Sequence, residues 1–467
     1  MSGKNVLFSS IFDLTRLCYR LGQGLEAAGH RVFWTTTSRN WHNWLLGRGV
    51  DGGRILRLLY TPADFVQGNE RDELTCKMVS CETSGELTFN QTLLMDRFVA
   101  RLRSDKINEY LLLYYRDLRN FIEANRIDVV FGEPTNLNEL VTCMVCHELG
   151  IPFYNAGDMR YPSGRVVFTE GYLQDRLVAT RSDVDTDAGP QFLNEFRASR
   201  KRPAYFDHWN RQPVTTLSKL LASLRRRVSR GELVNQPNLT HHTITERASL
   251  MARRSLNGFY LRHIASYDKL ADIRGKIAFY GLHVQPESSI DVRGSYFSDQ
   301  IKLIKDIRRA LPFDTTLVVK EHPNFLGIRG VSYFREIRGI PNVALVHHDV
   351  SAFDILEKCD VVFTVSGTIA YEAGMLGIPA VVFSPMYFDR LSTVHYCAEI
   401  TRLKRLLSDI RGTKQNLDDD GRAMSELIAA SFPGRWADPF NYPSVMDDDN
   451  IKKLETAFLR MVAYERR

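Results

Sequence analysis

The chain has 467 residues, too many for one hydrophobic core, and its 44% apolar, 25% charged composition with mean hydropathy −0.24 is that of a globular protein. No stretch approaches the run of about 20 apolar residues that crosses a bilayer, and seven cysteines in a chain this long are too few for a disulfide framework. A net charge of +6 is modest, and no nucleic-acid reader module accompanies it.

Asn5 to Phe12 (NVLFSSIF) reads as a first strand rather than as a signal peptide, since only Lys4 precedes it and no small-residue cleavage site follows. A cytoplasmic location is therefore expected. Asp13 then leads into a helix, LTRLCYRLGQGLEAAGH, which stops at Gly29 before a second strand, RVFWTT. Trp34, Trp41 and Trp44 suit either local packing or the cover of an acceptor site. From Asp51 to about Ser80 the pattern is irregular, and a long aromatic and charged helical stretch follows, from LLMDRF to EANR.

Ile127 to Pro134 (IDVVFGEP) is the next strand, followed by an amphipathic helix, NELVTCMVCHELG. Cys143, Cys146 and His147 match a haem-attachment spacing there, but the helical pattern makes them core. The strand IPFYN ends in Ala156-Gly157-Asp158, with Arg160 and Pro162 beyond. Glu133 and Asp158 thus sit past the carboxyl ends of successive strands, where α/β folds place catalytic groups. Either can act as a general base, or can cap a helix or hold a loop.

Between Glu195 and Arg262 the chain has 14 Lys and Arg against 4 Asp and Glu. Arg225, Arg226, Arg227 and Arg230 belong to an apolar and basic helix, SKLLASLRRRVSR, which suits a solvated face, an anionic membrane surface or an acidic acceptor.

A second strand and helix series begins near Gly275. KIAFYGLHV runs into Gln285-Pro286-Glu287-Ser288-Ser289, then a helix (SYFSDQIKLIKDIRRALP), then the buried strand Leu317-Val318-Val319 broken by Lys320-Glu321-His322-Pro323. PNVALVHH and DVVFTV are further strands; the latter feeds Ser366-Gly367-Thr368, a helix through Tyr371, Glu372 and Ala373, a Gly377-Ile378-Pro379 stop, and the strand from Ala380 to Phe383. A small-residue turn opening a helix offers N–H groups and hydroxyls to an anion such as phosphate. The acidic runs Asp418 to Asp420 and Asp447 to Asp449 lie at helix starts, where carboxylates complement the dipole, and are read as caps rather than metal ligands. There is no strand-end Asp-x-Asp of the kind that holds a metal diphosphate, and no His and Cys set at zinc spacing, so no metal is expected.

The series LHVQPESS, FSDQ, VVKEHP, PNV and SGTIAYEAGMLGIPAVVF, over about residues 276 to 390, resembles the capsule polysaccharide biosynthesis family, which includes bacterial β-Kdo transferases. The resemblance implies an α/β fold of the GT-B type, with two Rossmann-like domains whose parallel sheets face a central cleft. The expected division is residues 1–270 as the acceptor domain, 271–445 as the nucleotide-sugar donor domain and 446–467 as a terminal helix. It further implies an inverting, metal-independent glycosyltransferase of surface-polysaccharide assembly, moving Kdo or a related ulosonic acid from a CMP-linked donor to a glycan or glycolipid. The donor is a substrate and no cofactor is implied; contact with the inner face of the cytoplasmic membrane is a further expectation. By motif and position, Gln285, Glu287, Lys320, His322, Pro323, Ser366, Gly367, Thr368 and Glu372 are the donor-side residues. The base is expected from the opposite domain, with Asp158 ranked before Glu133 and Asp13. Gly377-Ile378-Pro379 replaces the Gly-Lys-Pro of many members, so no lysine role is carried over there. A nucleotide-sugar epimerase of similar architecture and a non-catalytic glycan-binding protein are the alternatives.

Overall fold

In the computed structural model, which describes residues 3–10, 12–96, 99, 106–179, 183–200, 244–263, 265–322 and 326–465, the strands assemble into two sheets. The first holds β1 (Asn5–Ser9), β2 (Arg31–Thr36), β3 (Ile55–Arg57), β4 (Val129–Gly132), β5 (Phe153–Met159) and β6 (Arg165–Glu170). The second holds β7 (Lys276–Gly281), β8 (Thr315–Lys320), β9 (Val343–Val346), β10 (Val361–Thr364), β11 (Ala380–Val382) and β12 (Val394–Tyr396). A last short strand, β13 (Phe432–Pro433), returns to the first sheet. The orders are β13-β6-β5-β4-β1-β2-β3 and β12-β11-β10-β7-β8-β9. The second sheet is parallel throughout, and in the first only β6 and β13 run antiparallel to their neighbours.

Alternation of apolar side chains explains why both sheets are covered on two faces. In β1, Leu7 enters a core with the Ile107–Ala124 helix, while Val6 and Phe8 enter a separate core with Leu17, Leu21 and Phe458. Val318 of β8 likewise faces one core and Leu317 and Val319 the other. Sheet order reverses between β4 and β1 in the first sheet and between β10 and β7 in the second, and such reversals open crevices at strand carboxyl ends. These two Rossmann-like domains are of the GT-B type.

The chain passes between domains at places other than residues 270 and 445. Within Ala188–Ser199, Leu193 and Phe196 are buried in the second domain's core beside Tyr371 and Met424. That helix lies against the Leu417–Ala429 helix, with the Gly189 N–H on Ser425 Oγ at 2.9 Å. A Cβ on Gly189 would stand 2.0 Å from the Gly421 carbonyl, so this approach requires glycine. In the other direction, β13 pairs with β6 through Phe432 and Val166, and the Asp448–Ala463 helix packs on Leu14–Ala27. Phe458 is fully buried, with ring centroids 5.8 Å from Phe8, 4.7 Å from Phe131 and 5.1 Å from Phe168. The first domain therefore contains the segment from Phe432 to Ala463.

Smaller differences have local causes. The stretch read as irregular up to Ser80 includes a helix, Asn69–Ser84, that buries only Leu74, Met78 and Cys81 and so shows little periodicity. Trp41 and Trp44 stack edge-on at 5.6 Å, with Tyr19 5.3 Å from Trp44; this is local packing. Cys143 and Cys146 are buried in Leu137–Glu148. The acidic runs occupy the first turns of Leu417–Ala429 and Asp448–Ala463. Most of the basic segment, including Arg225 to Arg227 and Arg230, lies outside the described residues. No helix among the described residues is long and apolar enough to cross a membrane.

Candidate active site

A cavity of about 510 Å³ lies between the carboxyl ends of the two sheets. Its second-domain wall is built from the turns after β7, β8 and β10, which bring Glu287, Lys320, His322, Ser366, Gly367, Thr368 and Glu372 together. Its first-domain wall carries Glu133 after β4, Asp158 in β5 and Arg160 just beyond. Gln174 also contributes, its carbonyl accepting the Tyr387 N–H at 2.7 Å across the domains. The turns at His322 and Ser366, distant in sequence, converge as their strand-end positions require.

Two expected residues lie elsewhere. Gln285 does not line the cavity: its amide donates to Asp291 Oδ1 at 2.8 Å and accepts from Gln300 at 3.2 Å, so it secures its own loop. Asp13 is the residue before the Leu14–Ala27 helix and is also absent from the cavity wall. Its charge acts on Asp438, a wall residue that burial has already pushed above its ordinary pKa. Pro323 lies outside the described residues.

Asp158 sits one residue inside the end of β5, opposite Val166, rather than beyond the strand. Burial pushes its carboxyl up to about 6, against the lowering effect of a 2.6 Å hydrogen bond from the Trp436 N–H and of the charges on Arg160 and Arg435. Arg435 Nε is 3.9 Å from Asp158 Oδ2. A carboxylate that titrates near 6 is ionised at neutral pH yet remains a competent proton acceptor.

The second-domain turns are tied together by buried polar groups. His283 Nε2 accepts the Val365 N–H at 3.0 Å and lies 2.8 Å from Thr364 Oγ1. Burial, reinforced by the charges of Arg329 and Arg293, pushes this imidazole down to about 3, so it stays neutral. Gln300 receives the His283 N–H at 2.8 Å, and the His283 carbonyl accepts from both Gln300 and Arg329. Arg329 in turn grips Glu321 with bonds of 2.7 and 2.9 Å, and Glu321 accepts the His322 N–H at 2.8 Å. The ends of β7, β8 and β10 thus form one hydrogen-bonded unit.

Gly367 shows how tightly the β10 turn is wound. Its N–H bonds Thr364 Oγ1 at 3.0 Å, and an added Cβ would stand 2.5 Å from that oxygen and 3.3 Å from the His283 ring. The Ser366 hydroxyl donates to the Ser289 carbonyl, locking the turn to the loop after β7. Thr368–Met375 starts here, so the first-turn N–H groups face the cavity end of the helix. Glu372 accepts the Tyr161 hydroxyl at 2.8 Å and the Tyr371 hydroxyl donates to the Tyr161 carbonyl at 3.0 Å, two bonds that cross between domains.

Sequence reasoning assigned no role to His283, Arg293, Arg160, Trp436 or Asp438, all of which line the cavity. His283 stands two residues past the end of β7, a usable signal; the Arg435–Tyr442 wall is delivered by the chain's return to the first sheet and has none. Outside that cavity, His347, His348 and Asp349 come together beyond β9, their potential ligand atoms within 4.8 Å of one another.

Residues 191–391 match the family described as capsule polysaccharide biosynthesis protein. No curated protein matches the chain. Among solved structures, the β-Kdo 2,7 transferase KpsC of Thermosulfurimonas dismutans is similar at 12% identity and TM-score 0.34, over 78% of this chain and 98% of that one. The S. aureus MnaA–UDP structure is similar at 12% identity and TM-score 0.26, over 91% of each chain. A UDP-GlcNAc 2-epimerase from Methanocaldococcus jannaschii, in complex with UDP-GlcNAc and UDP, is similar at 10% identity and TM-score 0.29, over 91% of this chain and 98% of that one. Likenesses this distant say nothing of chemistry, whereas the match of residues 191–391 to the capsule polysaccharide biosynthesis family spans the turns at His283, His322 and Ser366.

Proposed function

We propose that the protein is a glycosyltransferase of capsule or related surface-polysaccharide assembly, transferring Kdo or a related ulosonic acid from a CMP-linked donor to a glycan acceptor, with inversion and without an obligatory metal. One observation carries the reading: a carboxylate poised near pKa 6, Asp158, shares a cavity with the cationic and hydrogen-bonding turns of the opposite domain. Cleavage of a nucleotide sugar puts positive charge on the anomeric carbon and negative charge on the departing phosphate. Asp158 takes the proton of the acceptor hydroxyl as its oxygen bonds the anomeric carbon. The bond from that carbon to the phosphate oxygen breaks, and the electron pair leaves on CMP. Lys320, His322 and the N–H groups opening Thr368–Met375 receive that charge. Glu133 lines the same wall and can relay the proton. The basic segment between Glu195 and Arg262 suits an anionic acceptor or the inner face of the cytoplasmic membrane.

The test is nucleotide-dependent stabilisation of the full chain followed by product analysis. CMP is expected to raise the melting temperature more than UDP does, and the product is expected to have the anomeric configuration opposite to the donor's. A UDP preference would favour the epimerase reading. Retention would make Asp158 a nucleophile rather than a base. No response to any nucleotide would leave a glycan-binding protein.

A further inference from the structure

Arg293 has no part in the mechanism above, yet it lines the cavity between the short Ser288–Asp291 helix and the Ser295–Phe297 turn. Two contacts fix its backbone. The Ser384 hydroxyl donates to the Arg293 carbonyl at 2.8 Å, and Gly294 lies so close to Val365 that a Cβ there would stand 2.1 Å from the valine side chain. Arg293 is therefore held beside the turn that leads from β10 to Ser366.

Two other arginines, Arg329 behind this cleft and Arg435 on its wall, are visibly satisfied. Arg329 has its two bonds to Glu321 and stacks 5.2 Å from the Tyr333 ring centre, and Arg435 has Asp158 at 3.9 Å and the Tyr442 ring at 4.6 Å. Arg293 differs: its Nε is shut off from solvent and has no hydrogen-bond partner among the described residues. Glu287 and Glu133 act on it as nearby charges, while Arg160 on the opposite wall opposes them. Arg293 is half-buried with its Nε enclosed; partial burial of a guanidinium with an unused donor is costly unless an anion completes it, and this burial pushes Arg293 below its ordinary pKa.

We infer that Arg293, with Arg160 facing it from the first domain, forms an oxyanion subsite that is completed by a carboxylate or phosphate group of the substrate. A planar fork of donors suits either group, bound through two parallel hydrogen bonds. The inference rests on the proposed donor for its ligand class: the two sources are the nucleotide phosphate and the carboxylate of the transferred sugar. Because Arg293 and Arg160 belong to different domains, an anion between them would also draw the two walls together.

Thermal shift of the full chain, as wild type, Arg293→Met and Arg293→Lys, with inorganic phosphate, CMP and a CMP-linked 2-keto sugar acid, tests this. Arg293→Met removes the charge at similar volume, so the ligand-free melting temperature is expected to hold or rise, while affinity for the anion falls about tenfold or more. Arg293→Lys is expected to restore part of it. Loss of the CMP response assigns the subsite to the phosphate; loss confined to the added response of the sugar acid assigns it to the carboxylate. Unchanged affinities in Arg293→Met, or a variant that melts several degrees lower without ligand, overturn the inference in favour of a structural cation. If wild type answers phosphate through Arg293 but not CMP, the donor reading falls and the subsite stands. A wild type that answers none of the three overturns both.

Discussion

Asp158 owes its raised pKa to enclosure: in water its carboxyl would titrate at 3.8, and here burial outweighs a short N–H bond and two arginines to bring it to about 6. The sign has two consequences. As pH falls through about 6 the base is protonated, so kcat is expected to decline below that value with a single-proton slope; a profile flat down to pH 5 would remove Asp158 from the chemistry. The folded state favours the protonated carboxyl, so its contribution to stability is full below 3.8 and is lost as pH rises through about 6. Asp158→Asn should therefore lose about 100-fold or more in kcat. It should nevertheless unfold at equal or higher denaturant concentration than wild type at pH 8, by up to about 3 kcal/mol. On the opposite wall, His322→Ala is expected to abolish turnover with the melting temperature unchanged, because this residue lies two positions beyond β8 and lines the cavity. Turnover at the wild-type rate would exclude it.

Among the elements, the three second-domain turns act as a unit, and His283 is its hinge pin. His283→Leu leaves the Val365 N–H without its acceptor, an expected loss of about 1–3 kcal/mol in urea unfolding, together with weaker CMP binding. Gly367→Ala tests the same unit from the β10 side: the new methyl must displace Thr364 or His283, so nucleotide affinity should fall while far-UV circular dichroism is unaltered. An unaltered affinity would show that the turn does not meet the nucleotide. Legibility in the sequence followed locality. His322 and the Ser366 turn could be found because each directly ends a run of buried residues whose pattern announces the strand. Gln285, in the same neighbourhood, turns its side chain back to Asp291 and Gln300, a partnership no spacing records. Asp158 lies within a strand rather than past its end, since β5 continues through it as one arm of an antiparallel pair with β6.

At the level of the whole molecule, the domain boundaries were the least legible feature. Gly189 is ordinary in sequence and decisive in space, and the Asp448–Ala463 helix carries an apolar stripe that fits a core in either domain. Phe458 settles the matter by packing among Phe8, Phe131 and Phe168. Phe458→Ala is expected to cost about 3–5 kcal/mol, and to lower the unfolding midpoint of the first domain before that of the second. Coincident loss in both domains would mean that they unfold as one body.

The return of the chain to its first sheet also fixes an order of events during synthesis. Ribosomes deliver β1 to β6 early, but the strand that borders β6 and the helix that covers Phe8 emerge after the entire second sheet has been made. The half of the protein that starts first must therefore wait, with an apolar face open, until its neighbour has been translated. Nascent chains halted before Phe432 are the ones expected to recruit chaperones.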